Sequence, residues 1–136
     1  MKLKSLLLVC CLGLFSSAFA VNTHYHPQAG KNDNVKNSVS MPGLCEIEIN
    51  NFSYEDFIVS GQFNDGTPLI PFYIYVNDAP HYISLFYNGR CSHGMMINIT
   101  NLAGYPIYSQ YTPRYSTINI IPNYLKQPKA ELKIKR

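Results

Sequence analysis

The chain lacks tryptophan, Gly-rich phosphate loops, zinc-knuckle spacings of cysteine and histidine, and internal repeats. Beyond the first twenty residues it also lacks both a long apolar run and the apolar stripe of an amphipathic helix. A membrane helix needs roughly 18 consecutive apolar residues. These absences argue against a phosphate-loop enzyme, a zinc-knuckle protein, a repeat array and a membrane-spanning mature chain.

The start of the chain has the three parts of a secretory signal peptide. Lys2 and Lys4 are basic, residues 6–15 are apolar, and an Ala-Phe-Ala sequence at 18–20 places small residues where a signal peptidase reads them. We therefore expect residues 1–20 to be removed during export. The mature protein is then secreted or periplasmic.

Two cysteines, Cys45 and Cys91, remain after this cleavage. An even number of cysteines in an oxidising compartment predicts one disulfide. The chain-entropy model assigns a loop of this length about 4 kcal/mol of stabilisation. A pair of buried free thiols or metal ligands is the alternative.

Charge is balanced in the mature chain but unevenly distributed. Removing Lys2 and Lys4 from the eleven Lys and Arg leaves nine, against eight Asp and Glu. Residues 37–89 contain acidic residues and no Lys or Arg. In residues 90–136, Lys and Arg are the charged residues, with Glu131 as the one acidic residue. We expect acidic and basic strands to pair within one fold, with a basic edge that meets an anionic surface as the alternative. A nearly neutral chain is a poor ligand for nucleic acid.

Residues 21–43 are polar, without periodic hydrophobic residues, and predict a disordered tail. From residue 44 to 136 the apolar residues recur with a period of two, and turn signals separate the runs. The clearest hairpin signals are Asn64-Asp65-Gly66-Thr67 and Asn88-Gly89. Residues 130–135 alternate as a charged closing strand.

This pattern of seven or eight short strands predicts an all-β domain. Its form is a small antiparallel β-sandwich of immunoglobulin-like architecture. The Cys45–Cys91 bridge would join the sheets. The absence of tryptophan and the position of Cys91 after an Asn-Gly turn depart from antibody-type domains.

No residue is predicted to be catalytic, and no cofactor or metal is predicted. A small exported hydrolase that uses His81 or His93 with a carboxylate from 46–56 is one alternative function. Glu46 and Glu48 share a strand face, which an alternating strand places in water. His24 and His26 fall in the polar tail and are interpreted as part of a spacer, with weak copper or zinc binding as the alternative.

Tyrosine is the residue type that indicates function. Eleven tyrosines are present, and tyrosine supplies stiff contact area with a polar tip. The predicted binding residues are Tyr73, Tyr75, Tyr82 and Tyr87. The sequence thus predicts a non-enzymatic binding module for a protein or glycan partner. Its residue bias associates the chain with a bacterium, and an exported host-directed factor is one form that such a binding module takes. An envelope subunit that joins copies through strand 130–135 is a further alternative.

Overall fold

A computed structural model describes residues 22–27 and 45–135, and this part of the chain is all-β, with eleven strands and no helix. The strands are β1 (Asn22–His24), β2 (Glu46–Asn51), β3 (Phe57–Phe63), β4 (Pro68–Ile74), β5 (His81–Ser84), β6 (Phe86–Tyr87), β7 (Arg90–Cys91), β8 (Gly94–Asn101), β9 (Pro106–Pro113), β10 (Ser116–Ile121) and β11 (Lys129–Ile134).

A five-stranded sheet has the order β1-β5-β2-β10-β11. Alternation forms its strands: in β2, Ile47 and Ile49 are fully buried, while Glu46 and Glu48 lie on the opposite side. The sheet is mixed, because β1 runs parallel to β5 and β2 runs parallel to β10. β11 pairs antiparallel with β10 and forms one edge, as its charged pattern predicts.

A four-stranded antiparallel sheet has the order β4-β3-β8-β9. The Asp65-Gly66 turn joins β3 to β4, and Gly66 takes the positive φ of 86° that this turn requires. β4 lies at the edge, where Pro71 costs no ladder hydrogen bond within the sheet.

One hydrophobic core is built from buried residues of both sheets. Fifteen buried hydrophobic side chains form it, and the sheets contribute alternate residues of their strands. The five-stranded sheet contributes Ile47, Ile49, Ile83, Ile118 and Ile120, and the four-stranded sheet contributes Phe57, Val59, Phe63, Leu69, Ile74, Met95, Ile97, Ile99 and Tyr108.

The predicted Cys45–Cys91 disulfide is present, with Cα atoms 5.8 Å apart. It joins the residue before β2 to β7, the second strand of a small β6–β7 hairpin. Asn88 and Gly89, both at positive φ, form the turn of that hairpin. The bridge therefore fastens the hairpin to the five-stranded sheet.

The prediction of an all-β fold is confirmed, but the antiparallel, immunoglobulin-like sandwich is not, because two pairs in the five-stranded sheet are parallel. Residues 81–87 form two short strands, β5 and β6. Leu85 is fully buried between them, and its amide bonds the Cys45 carbonyl at 2.8 Å.

The predicted tail differs from the structure at its start. Asn22–His24 forms β1 and pairs with β5. The sequence shows no apolar period there because imidazole rings, which pack against Phe72 and Tyr87, take the place of aliphatic side chains. The predicted signal peptide and residues 28–43 lie outside the described residues.

Candidate binding surface

The four-stranded sheet carries no charged side chain. Its strands, 57–63, 68–74, 94–101 and 106–113, contain no Asp, Glu, Lys, Arg or His. The five-stranded sheet, in contrast, contains Glu46, Glu48, Lys129, Glu131 and Lys133. Folding has therefore separated charged from uncharged strands, which is a different division from the acidic and basic halves of the sequence.

The face of the four-stranded sheet opposite the core is neutral, aromatic and polar; we call it the neutral face. Four large apolar side chains on the strands of this face are exposed by 38 to 67%. They are Ile70, Tyr73, Met96 and Tyr111, and Tyr75 continues the set just after β4. Between them lie the polar side chains Ser60, Gln62, Asn98, Thr100 and Ser109.

Tyr73 and Tyr75 are brought together as the alternation of the sequence predicts. Their rings are 6.0 Å apart between centroids and nearly parallel, at 9°, and each is about half exposed. Their separation by two residues puts both on one side of the chain, while Ile74 between them is buried. A pair of parallel rings in water is a ready-made contact area.

Asn98 lies near the middle of the neutral face. Its register partners are Ser60 on β3 and Ser109 on β9. The Ser109 hydroxyl donates to Asn98 Oδ1 at 2.6 Å, which orients the amide. Among the described residues Asn98 Nδ2 has no hydrogen-bond partner in the structure, so the amide can donate to a ligand.

Tyr82 lies elsewhere, on the outer side of the five-stranded sheet. It pairs across the ladder with Glu48, and burial together with this carboxylate raises its pKa. Lys135 Nζ bonds Glu48 Oε2 at 2.6 Å. This contact joins the acidic and basic parts of the sequence within one fold, as expected.

Glu48 is the centre of a polar network on that same side. Burial alone would raise its pKa, but hydrogen bonds from Lys135, Asn50 and Thr117 outweigh burial and leave the pKa below its ordinary value. The ion pair reciprocally raises the pKa of Lys135. These side chains bond one another, so this surface is occupied by its own network.

Tyr87 serves a packing role in the structure. Its ring stacks on His26 with centroids 4.2 Å apart and meets Phe63 edge to face. His26 is buried, and its Nε2 lies 3.1 Å from Asp65 Oδ2. A hydrogen bond from the Thr67 amide, with a smaller contribution from His26, lowers the pKa of Asp65. Tyr73 and Tyr75 are thus the only members of the predicted set of four on the neutral face.

The cleft beside the disulfide contains His93, one of the two histidines of the hydrolase alternative, but no carboxylate from 46–56. It has a volume of about 330 Å³ and is lined by Asp65, Ser92 and His93 among others. Ser92 Oγ bonds Asn64 and the Gly94 carbonyl, and Asp65 bonds His26 and Thr67. In the part of the chain the structure describes, neither group bonds His93, so the hydrogen bonds of a catalytic triad are absent.

His81 contacts a carboxylate outside the expected range 46–56. Its Nε2 is 3.0 Å from Asp78 Oδ2, and its Nδ1 is 2.9 Å from His24 Nε2. Both ring nitrogens are thereby engaged, and the side chain is buried. The bond to His81 is the main cause that lowers the pKa of Asp78. This chain of three groups fastens β1 and leaves His81 no nitrogen with which to attack or deprotonate a substrate.

His24 is partly buried against Phe72, and His26 is buried against Tyr87. Within 22–27 and 45–135 no three His, Cys, Asp or Glu side chains converge in a way that could hold a metal ion. No helix among these residues could cross a membrane.

Sequence reasoning missed the neutral face as a unit, and also Ile70, Met96 and Tyr111 as members of it. A signal existed, because four alternating strands contain no charged residue. The sequence alone does not reveal that these four strands, and no others, form one sheet. No family model matches the chain, and no match was found among curated proteins or solved structures.

Proposed function

We propose that the chain is an exported, non-enzymatic binding module that recognises a protein partner through the neutral face. The observation that carries this proposal is a four-stranded sheet with no charged residue and with half-exposed tyrosines on its outer side. Surfaces of soluble domains ordinarily carry about 25–35% charged residues. A whole sheet face without them is the composition of an interface core.

The residue types favour a protein over a glycan. Tyrosine and methionine are enriched in protein interfaces, where Lys, Glu and Asp are depleted. Tyrosine with serine and asparagine is also the composition of antibody binding loops. Ile70 and Met96 add exposed aliphatic area. A sugar is covered with hydroxyl groups, which would lose hydrogen bonds to water when they contact this area. The partner is expected to present a surface poor in charge.

The size of the neutral face suits one compact contact. Four strands about 4.8 Å apart and seven or eight residues long cover on the order of 450 Å² in projection. A standard interface buries about 800 Å² of accessible surface on each partner. The accessible surface of the neutral face, including Tyr75, approaches ~800 Å² only if the partner covers the whole face. The centre of the face therefore has to be in contact with the partner.

Export is part of this proposal. It is supported by the leader sequence and by the Cys45–Cys91 bridge, since cytosolic reductants keep thiols reduced. The single core built from both sheets supports a sandwich-like arrangement, without an assignment to the immunoglobulin architecture.

The test is a capture experiment with the oxidised chain recovered after export. Extracts of periplasm, cell envelope and host cells are passed over the wild type and over the Tyr73→Ala/Tyr75→Ala variant. The matched control is Tyr82→Ala/Tyr124→Ala, which removes two tyrosines that lie off the neutral face. We expect the wild type and the control to capture the same partner. The Tyr73/Tyr75 variant should capture at least tenfold less of that partner.

Two results would overturn the proposal. Equal capture by all three proteins would remove the tyrosine pair from the interface, and loss in the control alone would move the interface to the five-stranded sheet. Binding to a panel of neutral oligosaccharides with no captured protein would replace the protein partner by a glycan.

A further inference from the structure

The short segment 22–27 is fastened to the domain by histidines. The His24 ring stacks on Phe72 with centroids 3.4 Å apart, and the centroid of the His81 ring lies 5.2 Å from that of His24 and 5.3 Å from that of Phe72, with all three rings within 8° of parallel. His26 is buried against Tyr87 and Asp65. The backbone contribution is three residues of parallel pairing at the edge of the five-stranded sheet.

The hydrogen-bonded chain Asp78–His81–His24 fixes where its protons lie. Asp78 accepts from His81 Nε2–H, so His81 Nδ1 carries a lone pair and accepts from His24 Nε2–H. With both rings neutral, each contact holds one proton. If both rings were doubly protonated, two N–H groups would point at each other across 2.9 Å. The contact thus tolerates one charge and excludes two.

Few groups around the pair could offset added positive charge. From β4 the pair meets the uncharged Phe72, and from the β4–β5 loop it meets Asp78, which already accepts from His81 and from the Tyr75 amide. From β1 itself it meets the Asn22 amide, 3.4 Å from His81 Nε2. Asp65 faces His26.

We propose that residues 22–27 are an acid-releasable segment, in which protonation of the His24–His81 pair frees β1 from the edge of β5. Release would uncover the β5 ladder groups and the rings of Phe72 and Phe63, which the segment now covers. It would also open the cleft of about 380 Å³ between the segment and residues 69–72 of β4. Ile70 lines this cleft and also belongs to the neutral face, but the histidine contacts lie outside that face, and the inference does not rest on the proposed function.

The titration has the sign that the proposal needs. Burial, and secondarily His81, lowers the pKa of His24 from 6.5 to about 4, so the packed segment resists protonation while the released segment accepts a proton at the ordinary value. Packing is fully favoured above about pH 6.5 and loses its advantage as pH falls towards 4. The lowered pKa of Asp78 acts in the same direction at the acid end of this range.

The experiment measures amide hydrogen exchange by NMR on the exported, oxidised chain at pH 7 and pH 4.5. After correction for intrinsic exchange, we expect the protection of the amides that pair β1 with β5 to fall at least tenfold, while the β8 amides keep theirs. His24→Phe, which preserves the stack on Phe72 but cannot titrate, should hold the change below twofold. Unchanged protection in the wild type, or equal loss in β8, would overturn the proposal.

A second measurement on the wild type is independent of how well the variant packs. Imidazole nitrogen shifts report the protonation of His24 and His81 residue by residue. We expect their protonation to coincide with the loss of β1–β5 protection. Protonation of both rings with β1 still protected would overturn the proposal.

Discussion

At the scale of single residues, Gly61 shows how closely two strands of the four-stranded sheet approach each other. A Cβ atom built on Gly61 would collide with the carbonyl oxygen of Met96 on the neighbouring strand β8. The register of β3 with β4 shifts beside this glycine, between Val59 and Gly61. Glycine is therefore required here for space rather than for an unusual φ.

We predict that Gly61→Ala lowers the free energy of unfolding by about 1–3 kcal/mol, because backbone atoms have to move to admit the methyl group. Thermal or urea unfolding of the oxidised chain measures the change. Ser60→Ala, at the preceding outward position, should stay within about 0.5 kcal/mol of the wild type. Equal stability of the two alanine variants would contradict this prediction, because it would mean that β3 and β8 leave room for a methyl group at position 61.

Single residues also show what the sequence could not reveal. The alternation at 72–76 predicts that Tyr73 and Tyr75 share a side, because side chains alternate along a strand. The same argument cannot place Tyr82 and Tyr87 relative to that pair, since their positions depend on strand neighbours distant in sequence. His24 and His26 resemble a solvated spacer until Phe72, Tyr87 and His81 are brought beside them.

At the scale of elements, local signals gave the hairpins and the closing strand. Positive φ angles form both turns: Gly66 takes one in the first turn, and Asn88 and Gly89 both take them in the second. The parallel pairing of β2 with β10 has no local signal, because all four strands of the four-stranded sheet lie between β2 and β10 in the sequence. The mixed sheet was therefore beyond sequence reasoning, while the strands themselves were not.

The disulfide is the strongest tie between elements that share no sheet. Its sequence separation of 46 residues corresponds to about 4 kcal/mol in the chain-entropy model. We predict that Cys45→Ala/Cys91→Ala lowers the free energy of unfolding by about 2–5 kcal/mol, and that a reductant has no further effect on the variant. A melting temperature equal to that of the oxidised wild type would contradict this account of the bridge.

β11 closes the five-stranded sheet, and its charges oppose strand addition by another copy. Lys135, directly after it, holds Glu48. Because the pKa of Glu48 lies below 4.5 in the folded state, the stabilisation by Lys135 is present above about pH 4.5 and is lost as pH falls through the lowered value.

We predict that Lys135→Met costs no more than about 1 kcal/mol at pH 7, since the lysine is largely exposed. The difference from the wild type should vanish near pH 2.5, in urea unfolding at both pH values. Lys126→Met, an exposed lysine in the loop before β11, provides the control and should show no pH-dependent difference. A cost for Lys135→Met that persists at low pH would assign the effect to packing of the lysine stem.

At the scale of the whole molecule, the separation of charge between the two sheets is the main result. The five-stranded sheet carries a hydrogen-bonded polar network on its outer side, centred on Glu48. The four-stranded sheet shows a neutral face with exposed aromatic rings. Stability does not require this difference, because both sheets bury the same kind of core. We propose that recognition of a partner through the neutral face accounts for it.

The most direct test compares one substitution on the two sheets. Asn98→Lys introduces a charge at the middle of the neutral face, and Asn119→Lys introduces the same charge on the outer side of the five-stranded sheet, where Asn119 bonds Asn50. The affinity of both variants for the captured partner is measured by calorimetry, with unfolding midpoints as the check on folding. We predict that Asn98→Lys weakens binding at least tenfold and that Asn119→Lys leaves it within twofold. Equal binding by the two variants, or selective loss with Asn119→Lys, would contradict the central claim that the neutral face is the recognition surface.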